Sequence, residues 1–200
     1  MLFNSPIINA VPAYHAPAND NGDWPSVLST KGFDISRDWE PGGSPGRYEE
    51  LSVVRKDSQG KPAFWAYQNT STGVTEVQEL QGDGQFTGIN PQGKPFIGKG
   101  SFYMKLDTKQ NTYTLYVQGQ GMSTGSLDNI PDTTVFDDLG VKLVKDTAGR
   151  GRLVGVQLLN DNTGEQVSIL DAPTQTGSGR QLAVMYWDRP GVEPRWLMGQ

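Results

Sequence analysis

Apolar and polar residues alternate with a period of two along most of the chain after Arg47. In Ser101–Asp107 (SFYMKLD), Phe102, Met104 and Leu106 fall on one face of an extended segment, and Tyr103 and Lys105 on the other. Across the polar turn TKQN, Thr112–Gln118 repeats the pattern with Tyr113, Leu115 and Val117 on a shared face. Successive side chains of a strand point to opposite sides of a sheet, so these two runs predict an antiparallel hairpin with one buried face. Tyr48–Lys56, Ala63–Asn69 and Val74–Leu80, joined by DSQGKP and TSTG, read as a three-stranded meander. Strands resume at Val141–Lys145, Arg152–Asn160, Glu165–Asp171 and Gln181–Asp188. Between the two groups, Gly119–Gly140 reads as a long irregular loop with at most a helical turn, and loops of that length tend to cover something or to function. No segment of helical length repeats apolar residues at i, i+3, i+4 and i+7. The predicted fold is all-β, an antiparallel β-sandwich or partly open β-barrel of about nine to eleven strands.

The alternation fails at both ends. Residues 1–46 are rich in Pro, Gly, Asn and Ser and finish in EPGGSPG, so the segment is expected to be extended or looped. It also carries Leu2, Phe3, Ile7, Ile8, Val11 and Tyr14, with no charged residue before Asp20. A polar linker has no such side chains to place. Residues 189–200 are a second Pro-punctuated segment, with Trp196, Leu197 and Met198. The expected organisation is an N-terminal arm (1–46), a β domain (47–188) and a C-terminal arm (189–200). Gln-Gly-Lys-Pro occurs twice, in DSQGKPAF (57–64) and NPQGKPFI (90–97), and reads as two turns in which proline restarts a strand.

Charge narrows the partners. The chain has 17 basic and 22 acidic residues, a net charge of −5, and an isoelectric point near 4.9. That balance disfavours phosphate backbones, so nucleic acid is not an expected partner. Zero cysteine removes disulfides, thiolate ligands and a cysteine nucleophile together. Pro6 and Pro12 interrupt the apolar start and no basic residue precedes it, so no secretory signal is expected. No apolar run approaches the roughly 18–20 residues of a membrane-spanning helix, and no membrane partner is expected.

Candidate chemistry is sparse. His15 is the only histidine and lies in the arm, away from any scaffold that positions a catalytic base. A multi-histidine metal site is therefore excluded. Glu49 and Glu50, and Glu76 and Glu79, are strand carboxylates, but each pair falls on opposite faces by parity and neither is a preformed acid–base pair. NDNTGE (160–165) and NDNGD (19–23) are oxygen-rich around a glycine without continuing into a complete calcium loop, and the former reads better as a hairpin turn. GQGMSTG (119–125) misses the phosphate-binding glycine spacing and precedes no helix. Trp65, Tyr67, Tyr103 and Tyr116 are a possible aromatic platform for a sugar ring, against the simpler reading that they are covered. No catalytic residue, metal ligand or cofactor is assigned.

An uncharged apolar arm either packs on its own domain or reaches to a neighbour, where a sheet edge and side-chain pockets receive it. An acidic, cysteine-free β domain with two arms, no catalytic constellation and no basic surface suits a building block of a symmetric assembly. In composition and layout alone it resembles the decoration, cement, tail or baseplate proteins of tailed bacteriophages, with no motif that transfers a residue role. The expectation is a non-enzymatic structural subunit of a virus particle made in the host cytoplasm. Leu2, Phe3, Ile7, Ile8, Val11 and Tyr14 are its expected contacts with other copies of itself or neighbouring subunits. The alternative is a carbohydrate- or receptor-binding β-sandwich module, with a glycan as its ligand.

Overall fold

A computed structural model describes residues 26–38, 50–69, 72–89, 95–130, 136, 138–145, 153–173 and 180–198. Fifteen strands are the dominant elements among them. They are β1 (Ser26–Ser29), β2 (Phe33–Asp38), β3 (Glu50–Lys56), β4 (Pro62–Asn69), β5 (Val74–Glu79), β6 (Gln85–Ile89), β7 (Pro95–Lys99), β8 (Phe102–Asp107), β9 (Thr112–Val117), β10 (Gly121–Ser126), β11 (Val141–Lys145), β12 (Leu153–Leu159), β13 (Gln166–Pro173), β14 (Arg180–Trp187) and β15 (Arg195–Met198). Every strand pair is antiparallel. An eight-stranded sheet runs β1-β2-β3-β4-β5-β8-β9-β10, a five-stranded sheet runs β11 to β15 in order, and β6-β7 is a separate hairpin inserted between β5 and β8.

The period-two alternation is what brings the two large sheets together. Phe33, Ile35, Leu51, Val53, Phe64, Ala66, Val77, Phe102, Met104 and Leu106 line the inner face of the eight-stranded sheet. Val141, Val156, Leu158, Val167, Ile169, Val184 and Tyr186 of the five-stranded sheet join the same continuous core. The chain is an all-β sandwich, with one apolar layer between two sheets.

The loop after β10 closes one part of that layer. Ser126 caps the short 3-10 helix Leu127–Asn129, its Oγ accepting from the Asp128 amide at 3.2 Å. Leu127 and Phe136 are buried and Ile130 and Leu139 pack against the core. The Phe136 ring meets Phe102 edge-on at 5.3 Å, and Phe102 stacks on Phe64 at 5.9 Å. The covering role expected of a long connection is carried by Leu127 and Phe136.

Four features differ from the sequence pattern. First, residues 26–38, read as part of the arm, pair as β1 and β2 and put Phe33 and Ile35 into the core. A Thr30 turn makes this possible, its Oγ1 accepting from the Gly32 and Phe33 amides at 3.2 and 3.0 Å. Second, Gly121–Ser126, read as loop, is a strand registered against β9 although Met122 is its only large apolar residue. Third, Arg195–Met198, read as C-terminal arm, pairs with β14. Fourth, β6 and β7 form a hairpin that the alternation did not indicate, although β7 begins at Pro95, where the second Gln-Gly-Lys-Pro is read as restarting a strand. The strand number therefore exceeds nine to eleven, because four-to-six-residue strands set among Gly and Pro carry too few alternations to be read.

Candidate functional site

Cross-strand register places three of the four singled-out aromatics, Trp65, Tyr103 and Tyr116, in one row on the outer face of the eight-stranded sheet, with Tyr67 in the neighbouring row. Trp65 lies opposite Gln78, Gln78 opposite Tyr103, Tyr103 opposite Tyr116, and Tyr116 opposite Met122. Tyr67 is two residues from Trp65, with the ring centroids 5.5 Å apart. The shared face anticipated for these residues is present, but the rings are not open: exposure is 4% for Trp65, 5% for Tyr67, 1% for Tyr103 and 8% for Tyr116. As a platform for stacking a sugar they are closed. Trp65 and Tyr67 form a small second cluster with Val54, on which Leu80 packs. The base of the β6-β7 hairpin leans on the same face, where Gln78 Nε2 donates to the Lys99 carbonyl at 3.0 Å. At that base a Cβ on Gly84 would lie 3.0 Å from the Tyr116 hydroxyl.

Polar groups are embedded among these rings. The Trp65 indole N–H donates to Ser52 Oγ at 2.8 Å, the Tyr67 hydroxyl donates to Glu50 Oε1 at 2.6 Å, and Asn69 Nδ2 donates to the same oxygen at 3.3 Å. Glu76 stands opposite Tyr67 on one side and Lys105 on the other. It is 4% exposed, and its Oε2 has no hydrogen-bond partner among the described residues. Burial pushes its pKa up to about 7, against a smaller downward pull from Lys105. Burial also raises the Tyr67 hydroxyl above its ordinary value, and the bond to Glu50 adds to that shift. Glu50 and Glu76 thus reach one tyrosine from two different strands, while Glu79 turns away to accept from the Gly82 and Ser101 amides. Sequence parity separated Glu76 from Glu79 correctly but was blind to this cross-strand grouping, which only the β3-β4-β5 register shows. Chemically the group holds a proton at Glu76 near neutral pH.

A second polar cluster joins the two sheets at one end of the sandwich. Glu165 Oε2 accepts from Thr30 Oγ1 and from the Tyr186 hydroxyl, the latter at 2.5 Å. Burial would raise the Glu165 pKa, but bonds from Thr30, Tyr186 and Thr163 outweigh it and hold the carboxyl below its usual range. Asn160 Nδ2 donates to the Gly32 and Lys56 carbonyls, both at 3.0 Å. Arg55 Nη1 donates to the Leu159 carbonyl at 2.9 Å, and its guanidinium lies 4.5 Å above the Phe64 ring. A Cβ at position 32 would crowd the Glu165 carboxylate, Thr163 Oγ1 and Asn160 Nδ2, so any larger residue there displaces side chains of this seam. NDNTGE is the β12-β13 turn, with Gly164 at φ +78°, and its Asn160 and Glu165 are committed to this seam. GQGMSTG is the β9-β10 turn followed by most of β10.

The outer face of the five-stranded sheet is the more open one. Gly140, Val141, Lys142, Gln157, Leu159 and Gln166 line a groove of about 350 Å3. Beyond it, Met185 lies opposite Ser168 and Trp196, and Trp196 is 44% exposed. Leu2, Phe3, Ile7, Ile8, Val11, Tyr14 and His15, together with Glu49 and NDNGD, lie outside the described residues. Among the described residues no three histidine, aspartate or glutamate side chains converge as a metal site, and no helix is long and apolar enough to cross a membrane. No family model, curated protein or solved structure matches this chain.

Proposed function

We propose that the chain is a non-enzymatic structural subunit of a symmetric particle, and that its N-terminal segment clasps a neighbouring copy. The observation that carries this reading is a surplus of apolar side chains. Residues 27–197 build a continuous core between the sheets. Residues 1–19 add Leu2, Phe3, Ile7, Ile8, Val11 and Tyr14 with no charge among them. Segments that stay disordered are poor in large apolar residues and rich in charge, the reverse of this one. Burying several hundred Å2 at roughly 25 cal/mol per Å2 contributes on the order of 10 kcal/mol toward association before ordering costs. A virion component of a tailed bacteriophage, in the capsid decoration or the tail and baseplate, is the setting that best suits an acidic subunit of this composition.

Deletion of residues 1–20 tests the reading. The truncated protein is expected to keep its strand circular dichroism and cooperative melting and to lose self-association in sedimentation. Unchanged association by a folded truncation contradicts it. The carbohydrate- or receptor-module alternative is less well supported, because the four aromatic rings it would use are buried.

A further inference from the structure

We infer that β10 is the acceptor edge to which residues 7–11 of a second copy add as a ninth strand of the eight-stranded sheet. The inference rests on the clasping role proposed above and specifies its acceptor.

The four sheet edges are not equivalent. β1 is four residues long and bulged after Ser26. β11 carries Lys142 and Lys145 and shifts register at Val144. β15 carries Arg195, and its partner strand shifts register at Val184. Short length, lysine and bulges are the usual devices that keep an edge from pairing with another chain. β10 has none of them. Gly121–Ser126 contains no charge and no proline, holds six consecutive register positions against β9, and is exposed over its first four residues. β6 approaches β10 without joining it in a ladder.

The core beneath this edge is thinly covered. On the core side β10 offers only Gly121, Ser123 and Gly125, opposite Val117, Leu115 and Tyr113. Phe33, Ile35, Leu51, Val53, Phe102 and Met104 are 0% exposed, whereas Tyr113 is 8%, Leu115 7% and Leu127 8%. Among the described residues, apart from the chain neighbours of Gly121, no atom lies within 4 Å of the place where a Cβ on Gly121 would sit. A strand bringing its own large apolar side chains to this side completes the layer, and a second β10 would bring only more glycine and serine.

Residues 7–11, Ile-Ile-Asn-Ala-Val, match that requirement. They are uncharged, free of proline, and bounded by Pro6 and Pro12, which delimit a strand of about the length of β10. Added as an extra strand, they place Ile7 and Val11, or Ile8, over Leu115 and Tyr113. The donor comes from another copy because of reach. The N-terminal segment enters the fold at β1, the far edge of the same sheet, seven strand spacings or about 34 Å from β10. Residues 12–25 cover about 46–50 Å at full extension and about 43 Å as a proline-rich extended chain, so a single chain would have to run almost straight across the sheet, a constraint that a neighbouring copy does not face.

The absence of cysteine makes the test direct. Single variants I7C, I8C, N9C and A10C are each mixed with T124C of the otherwise intact chain and oxidised. A disulfide-linked band of doubled mass is expected from at least one mixture, and its loss is expected when S26C in β1 or K142C in β11 replaces T124C. S123P, which breaks the β10 edge, is expected to abolish the association of the full chain while the melt stays cooperative. If no arm cysteine couples to position 124 although deletion of residues 1–20 still dissociates the chain, the acceptor is wrong and the clasp stands. Closure within single chains of the I8C/T124C double variant, without a doubled band, overturns the second copy as donor. A full-length chain that is monomeric throughout removes the clasp itself.

Discussion

Phe136→Ala is expected to lower the unfolding free energy by about 3–5 kcal/mol, the usual cost of emptying a buried aromatic site. Phe136 is fully buried, packs edge-on against Phe102, and comes from the connection that links the two sheets. Removing its ring opens a cavity against Phe102 and leaves Leu127, Ile130 and Leu139 as the described apolar contacts of this connection with the core. Urea unfolding followed by circular dichroism reads the change as a shift in midpoint. A loss below about 1 kcal/mol, the range of surface substitutions, would mean that Phe136 is not a core residue.

Glu76→Gln is expected to stabilise the protein at pH 8 and to change little at pH 4. The folded-state pKa of Glu76 is raised from 4.5 to about 7 by burial. Below pH 4.5 both folded and unfolded chains carry the proton, and stability is complete. Between pH 4.5 and 7 the unfolded chain releases it while the folded chain retains it, so stability falls as pH rises and levels off once the folded carboxyl ionises. A shift of that size corresponds to about 3 kcal/mol. The glutamine variant lacks this loss, and its unfolding midpoint is expected to stay flat across the window in which the parent protein declines. Identical pH profiles for the two proteins would show that Glu76 ionises freely in the folded chain.

The legible part of the fold was the part with long alternations. Phe102-Met104-Leu106 and Tyr113-Leu115-Val117 carry three inward residues each, and β8 and β9 form where that pattern requires. Phe33-Asp34-Ile35 carries only two, among prolines and glycines, and β2 was hidden although both apolar residues are fully buried. β10 had no hydrophobic signal, because its inward positions are Gly121, Ser123 and Gly125 and its place is set by the β9 register and the Gly119 turn. Phe136 was a large residue in an irregular stretch, and periodicity is silent where there is no strand. The outer face shows the same division: parity groups Trp65 with Tyr67 on one strand, whereas the row from Trp65 to Tyr116 and the approach of Glu50 and Glu76 to Tyr67 depend on register between strands.

In the assembly role proposed above, folding and association would use different parts of the eight-stranded sheet. The inner face and the Glu165 seam bind it to the five-stranded sheet, with Thr30 and Tyr186 reaching the same carboxylate from opposite sheets. The β10 edge takes no part in that seam and turns only glycine and serine toward the core. On the proposed reading, such a subunit would fold on its own sheets and keep the β10 edge for a neighbour.

Solution mass of the full-length chain, measured together with limited proteolysis, tests the central claim most directly. The account predicts an oligomer whose first twenty residues resist cleavage, and a monomer once those residues are removed. A compact, protease-resistant monomer of the full-length chain would contradict it, placing the apolar segment in its own core and leaving no surface to clasp a neighbour.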